Sequence, residues 1–436
     1  MGVKKDKQHV VIIGGGFAGL NAAKHLDKKK YAVTIIDRNN FHSFPPLFYQ
    51  VASSGLDTGS ISFPLRREVR KLDGVDYDMG DVQSVDTTAK TITTQYKTIS
   101  YDKLIIAAGT TNNFFGMNDL RDKVYTLKSM SEAVRLKNVM LDRLERACLI
   151  ENQEERRKLL SFVVVGAGPT GVETAGSIGE MKRYILQREY PEIALNDISI
   201  TIVEGADRVL RTMSEKSSRH AEEYLRSLMV DVKLGVNMKS YEDNIVTLSN
   251  GETMYCETLI WTAGIIGETI KGFTKETFGP GNRFIVDDFN RVKGVDDVYA
   301  LGDIAFLTCE DFPRGYPQLA QVAIQSAVNL AKNLNEGEFN SPFVYNDKGS
   351  MATIGRNRAV CDLKKTHLYG RPAWFIWMFV HLISLLGMRN KLNVLINWTW
   401  AYFTYSTSLR LLVRPSKYPT RKHWDKTVTD EDDIEG

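Results

Sequence analysis

The residues best suited to chemistry form two glycine-spaced groups, one carboxylate and one pair of amides. The first group is Gly14, Gly15, Gly16, Phe17, Ala18 and Gly19, within "HVVIIGGGFAGLNAAKHL". A β-branched run, Val10 to Ile13, leads into Gly14-x-Gly16-x-x-Gly19, and Leu20, Ala23 and Leu26 then recur at helical spacing. Each glycine has its own task in such a turn. Gly14 permits the tight bend, Gly16 lets backbone approach a pyrophosphate, and Gly19 lets helix pack on strand. Asp37 ends the next strand, "YAVTIID", where a carboxylate would accept from a ribose hydroxyl. The second group repeats the design: "FVVVGAGPTGVE" carries Gly166, Gly168 and Gly171, and "ISITIVE" ends at Glu204.

Two complete fingerprints imply two dinucleotides. Flavin plus nicotinamide is the pairing with chemical sense, because one passes a hydride to the other. Glu173 sits in the first turn of the second helix. There it either complements the helix dipole or hydrogen-bonds the nicotinamide carboxamide and orients the ring. Gln321 and Gln325 lie one helical turn apart and share a face. Neutral amides suit an uncharged carbonyl ligand, which accepts hydrogen bonds; an ordinary polar helix face is the plain alternative.

The elements that must hold these residues can be read around them. "YDKLIIAAGT" at 101–110 and "CETLIWTAGI" at 256–265 are strands ending in Gly109 and Gly264, each closing one nucleotide-binding half. "DDVYALGDIA" at 296–305 is a further strand, ending at Gly302 and Asp303, whose carboxylate could bind a flavin ribityl or pyrophosphate arm. The expected architecture is α/β: two Rossmann-like dinucleotide-binding domains, the NADH domain inserted in the FAD domain, plus a C-terminal amphipathic helical membrane-binding segment. Expected boundaries are residues 1–125 and 281–350 for the FAD domain, 126–280 for the NADH domain and 351–436 for the C-terminal region.

Charge is unevenly spread. The formal net charge is +3, yet Leu363 to Trp424 holds ten Lys or Arg and no acid, leaving about −7 for the rest. The start reads as a first strand and not as a signal peptide. Cys148, Cys256, Cys309 and Cys361 form no C-x-x-C, so a redox-active disulfide of adjacent cysteines is not expected. No metal and no nucleic acid is expected as a partner.

The stretch "RPAWFIWMFVHLISLLGMRNK" is apolar for about sixteen residues, short of the ~20 needed to span a bilayer. A second segment, 392–413, contains Asn393 and Asn397. Trp374, Phe375, Trp377, Trp398, Trp400 and Tyr402 have the spacing of interfacial anchors. The pattern predicts a monotopic module lying in the membrane interface, removable without loss of the nucleotide folds; a dimerisation surface and a pair of buried core helices stay open.

The whole order resembles the two-dinucleotide flavoprotein reductases, and more narrowly the type II NADH dehydrogenases, the single-chain, non-pumping NADH:quinone oxidoreductases. "NNFHSFPPLFYQVASSGLD" at 39–57, "GAGPTGVE" at 166–173, "ALGDIA" at 300–305 and "YPQLAQVAIQSA" at 316–327 carry the closer match. The resemblance implies that Gly14 to Gly19, Asp37, Arg38 and His42 line the adenine and pyrophosphate side of FAD, with Val82 at the adenine. It implies Gly109, Asp303 and Ala320 along the remainder of the flavin, and Glu173 beside the nicotinamide. Gln321 and Gln325 would lie where quinone meets flavin, near Pro45, Pro46 and Leu47. A peripheral enzyme on the cytoplasmic face of the membrane follows, with a homodimer possible. Its rivals are a sulfide:quinone oxidoreductase, a soluble-carrier reductase and a flavoprotein that binds NADH to signal redox state.

Overall fold

The β-branched run before the first glycine loop forms the strand Gln8–Ile13, the centre of a five-stranded sheet. Across that sheet the order is Val298–Ala300, Lys103–Ile106, Gln8–Ile13, Tyr31–Asp37 and Val75–Met79, all neighbours parallel. Strands buried on both faces are near-continuous apolar runs, as "VVII" and "KLII" are. The computed structural model describes residues 7–404 and 409–413 of the chain.

A second, four-stranded parallel sheet runs Asp231–Leu234, Ser199–Glu204, Ser161–Val165 and Thr258–Trp261. The chain enters and leaves it through an antiparallel ribbon that pairs Thr110–Asn112 with Ile265–Gly267. Because Val298–Ala300 then rejoins the first sheet beside Lys103–Ile106, one nucleotide unit is inserted into the other. The helix Ala320–Glu336 closes the first unit, and its Ala323, Ala327 and Leu330 share a core with Leu20 and Ala23 of the helix Phe17–His25.

The remaining chain forms an antiparallel sheet, Ser350–Thr353, Ala359–Leu363 and Thr366–Tyr369, followed by the helices Arg371–Ser384 and Met388–Thr404. Each helix has two unlike faces. Inward, Ala373, Trp377, Val394 and Trp398 are buried, Trp377 to 1% exposure, as is Leu385 in the turn between the helices. The Trp398 indole donates to Gln50 Oε1 at 2.8 Å, and the Asn390 amide donates to the Ser62 carbonyl at 2.8 Å. Outward, Phe375, Phe379, Ile383, Leu392, Ile396, Trp400 and Phe403 recur at helical spacing and stay exposed, Phe403 to 77%. At ~1.5 Å per residue both helices fall short of a bilayer's roughly 30 Å hydrocarbon thickness. Among the described residues no helix is long and apolar enough to cross a membrane.

Two sequence expectations change here. The tail aromatics do not form one set of headgroup-depth rings: Trp374, Trp377 and Trp398 turn inward, whereas Phe375 and Trp400 turn out. Nor is the tail a removable appendage. Trp377, Leu385, Val394 and Trp398 belong to the same core cluster as Phe44, Leu47 and Tyr49, so cutting before Arg371 would uncover the interior. Sequence periodicity identifies an apolar face, but only tertiary packing decides which rings meet protein and which meet solvent.

Candidate functional site

Both glycine loops are built alike. Gly14 and Gly166 have φ of 101° and 100°, a region costly for any residue with a side chain. A Cβ on Gly19 or on Gly171 would lie 1.8 Å from the carbonyl oxygen of Gly14 or Gly166, so each helix can approach its strand only there. By contrast a Cβ on Gly16 or Gly168 would meet nothing within 4 Å. These residues start the helices Phe17–His25 and Pro169–Met181, and no side chain caps either start. The helices Met130–Leu149 and Glu215–Ser227 are instead closed by Ser129 and Ser214. Uncapped amides behind an open cradle suit a pyrophosphate.

The acids predicted at the strand ends brace these loops. Asp37 Oδ2 accepts from the Gly15 amide at 2.7 Å, and Glu204 Oε2 from the Ala167 amide at 2.6 Å. Burial holds the Asp37 carboxyl above its usual range, against the pull of the Asn39 and Gly15 amides. Arg38 pairs with Glu268 at 2.8 Å and Asp81 at 3.4 Å, and Val82 begins the next strand. His42 is buried against the first loop, its Nδ1 3.0 Å from the Gly15 carbonyl, and burial depresses its basicity.

Three further features complete the first site. Gly109 has open space at its Cβ position, while a Cβ on Gly302 would sit 2.9 Å from that of Ala323. Asp303 is half-buried; desolvation raises its carboxyl pKa, with Lys128 and Arg283 opposing. The buried Thr110 hydroxyl faces the Asp303 carboxyl and favours its ionised form, and Ala320 opens a helix that no side chain caps. An open glycine cradle and two uncapped helix starts fit the extended pyrophosphate-and-ribityl arm of FAD.

Glu173 does not stand at a free helix start. It is buried, its Oε1 accepts from the Thr353 amide at 3.4 Å, and the Trp377 indole N–H faces it without closing a well-formed hydrogen bond. Burial pushes its carboxyl up to about 8, opposed by the Thr353 amide and the indole. Gln321 and Gln325 are likewise engaged. Gln321 donates to the Gly349 carbonyl at 3.1 Å and accepts from the Lys348 amide at 3.2 Å. Gln325 donates to the Asn346 carbonyl and accepts from its amide, both at 3.0 Å. All three candidates therefore hold one stretch, residues 346–353, which leads into the C-terminal sheet. Beside it a cavity of about 130 Å³ opens between the tail helices and the body, lined in part by Tyr49, Gln50, Glu180, Arg356, Trp377 and Trp398. Sequence reasoning missed Thr110, Thr353 and Trp377 as neighbours of these groups. Thr110 directly follows Gly109 and was within its reach, whereas Thr353 and Trp377 meet Glu173 only through the fold.

Two fused dinucleotide units of this build define an FAD- and nicotinamide-dependent oxidoreductase. Residues 8–327 match the family model for pyridine nucleotide-disulphide oxidoreductases, and residues 348–404 match the NDH2 C-terminal domain. The type II NADH:quinone oxidoreductase Ndh of Mycobacterium tuberculosis is 33% identical over 91% of this chain and 89% of its own length. A probable NADH dehydrogenase of Dictyostelium discoideum is 29% identical, over 90% of this chain and 89% of its own. The structure of NDH2 from Plasmodium falciparum in complex with NADH superposes with a TM-score of 0.85, at 24% identity, over 94% of this chain and all of that one. The chain belongs to the type II NADH:quinone oxidoreductases.

Proposed function

We infer that this protein takes a hydride from NADH at its second loop and passes two electrons to a lipid-dissolved quinone, with FAD held at its first loop. FAD supplies the hydride acceptor and two-electron donor; the chain supplies position, enclosure and a membrane seat. Gly16 and the amides behind it hold the flavin's pyrophosphate, while Asp37 takes the ribose. Gly168 and Glu204 do the same for NADH, and the Glu204 charge disfavours a 2′-phosphate. Glu173, with its raised pKa, keeps a proton behind Thr353 and Trp377, two residues that line the tail cavity. Quinone enters from the lipid side through that cavity. Gln321 and Gln325 set the position of residues 346–353, and with them the wall that meets the quinone.

The observation that carries this reading is the apolar face left exposed by the tail helices of a body built around two dinucleotide loops. A face of Phe375, Phe379, Ile383, Leu392, Ile396, Trp400 and Phe403, with Arg389 and Lys391 in the first turn of the second helix, suits a monotopic seat on anionic lipid at the cytoplasmic face. A homodimer is compatible with that seat. The rival sulfide chemistry requires a cysteine pair at the flavin. All four cysteines are free, and burial pushes the Cys256 and Cys361 thiols up, away from thiolate reactivity. The experiment is NADH oxidation by protein mixed with quinone-loaded vesicles, against a short soluble quinone. Activity with both, favoured by vesicles, supports the reading; activity with sulfide in place of NADH overturns it.

A further inference from the structure

Phe114 and Phe115 are identical neighbours with opposite fates. Phe114 is buried against Trp261 at a ring distance of 5.8 Å, whereas Phe115 is 61% exposed. Phe115 also has φ of 50°, a left-handed backbone that a bulky residue adopts only under constraint. The constraint is visible. Its amide donates to Asn113 Oδ1 at 2.9 Å, the Asn113 amide donates to the Gly264 carbonyl at 3.0 Å, and the Trp261 indole donates to the Asn113 carbonyl at 2.9 Å. The result lays the Phe115 ring over Gly264, where an added Cβ would lie 2.6 Å from the ring's outer carbon. Ala263, one residue earlier, presses equally close on Gly166, the first glycine of the second loop.

The ring therefore borders the second dinucleotide site, and sheet order says on which side. Ser161–Val165, which feeds the loop, is flanked by Ser199–Glu204 on one edge and Thr258–Trp261 on the other. Glu204 marks the adenosine ribose, so Gly264 and Phe115 lie toward the nicotinamide half, across the crevice at the strands' carboxyl ends. Asn113 also follows directly on the ribbon that leads from Gly109 of the flavin site.

We propose that Phe115 is a positioning residue for NADH: its strained, exposed ring packs on the nicotinamide–ribose half and holds it between the second loop and the flavin. The ring touches Trp261 at a centroid distance of 6.4 Å and covers Gly264, and its remaining exposed face is the surface that bound substrate would cover. The proposal rests on the NADH reading of the second loop, and the control below separates the two. Glycine at this position relieves the backbone strain and removes the ring; tyrosine keeps the ring.

The experiment is anaerobic stopped-flow bleaching of the flavin at varied NADH, with thermal midpoint and FAD content recorded for each variant. Phe115→Gly is expected to raise the NADH dissociation constant roughly tenfold, the worth of one good aromatic contact, with FAD content kept and the thermal midpoint not lowered. Phe115→Tyr is expected to stay near wild type. Gly168→Ala places a methyl where pyrophosphate belongs and weakens NADH whatever Phe115 does. If Gly168→Ala leaves NADH binding intact, the loop reading itself fails. If it weakens NADH while Phe115→Gly does not, only the Phe115 proposal fails. Loss of FAD or of thermal stability in Phe115→Gly would show a structural wedge and also overturn it.

Discussion

The two glycine loops share their internal geometry and differ in what covers them. Over the first, His42 closes on the Gly15 carbonyl, Leu65 lies within 2.7 Å of a Cβ built on Gly15, and Gly302 packs against Ala18 and Ala323. Over the second, one separate segment closes in, with the buried Leu210 donating its amide to the Ala167 carbonyl at 2.8 Å, and an exposed phenylalanine rests on Gly264. Three separated chain segments close on the first loop, whereas one segment and an exposed ring border the second. The more enclosed loop suits a resident cofactor, the more open one a substrate that must leave each turnover. Identical motifs thus take different roles from their surroundings.

The sharpest way to break this comparison is to place the same methyl in both cradles. Gly16 and Gly168 have extended backbones and no neighbour within 4 Å of a Cβ, so alanine strains neither fold. Gly16→Ala is expected to yield protein largely without flavin. Gly168→Ala is expected to keep its flavin yet bind NADH about ten- to a hundredfold more weakly, the effect of ~1–3 kcal/mol of overpacking. Absorbance of the purified variants and an NADH titration check both. Equal flavin loss in the two would erase the distinction.

Enclosed against open also describes the two faces of the tail. Trp377→Ala should cost roughly 3–5 kcal/mol in denaturant unfolding, because the ring is in the core. Phe379→Ser with Phe403→Ser should leave stability nearly unchanged but weaken vesicle sedimentation, each ring contributing up to ~1.5–3 kcal/mol of burial in lipid. A double variant that unfolds more easily would mean its outer face is core as well.

Glu173 sharpens the comparison at the seam between the tail and the inserted unit. Folded, it keeps its proton up to about 8, whereas its ordinary value is 4.5. The native chain binds the extra proton between those values, so stability falls as pH rises through that window, by about 1.4 kcal/mol per unit at most. Glu173→Gln should flatten this slope in thermal or denaturant melts across the window. An unchanged slope would mean the carboxyl is already ionised at neutral pH.

The smallest expected effect belongs to the glutamines. Gln325→Leu removes two hydrogen bonds to Asn346, a loss of about 1–2 kcal/mol in stability. Because that stretch leads to the wall proposed to face the quinone, reoxidation of flavin by quinone should slow more than its reduction by NADH. Stopped-flow separation of the two half-reactions decides; equal slowing would place the glutamines at the flavin instead.

Much of this was legible in the chain itself. Strand, glycines, helix and acid are local, so Gly14 to Asp37 and Gly166 to Glu204 announced themselves by spacing, as did an apolar tail with a basic surround. The inner and outer faces of the tail were not legible, since Trp377 and Phe379 differ only in what packs on them. Nor was the setting of Glu173, whose partner amide at Thr353 lies 180 residues away. The glutamines illustrate the same limit. Their shared face was readable, but that face turned out to grip backbone at 346–349, and no periodicity encodes that.

The most direct measurement is an anaerobic one, on the intact purified protein with its flavin in place. NADH is added and flavin absorbance followed, then a quinone is added in vesicles. The account predicts that NADH bleaches the flavin within mixing and that quinone restores it, with NADPH bleaching far less readily. A flavin that NADH leaves oxidised, or one that stays bleached after quinone, would contradict it.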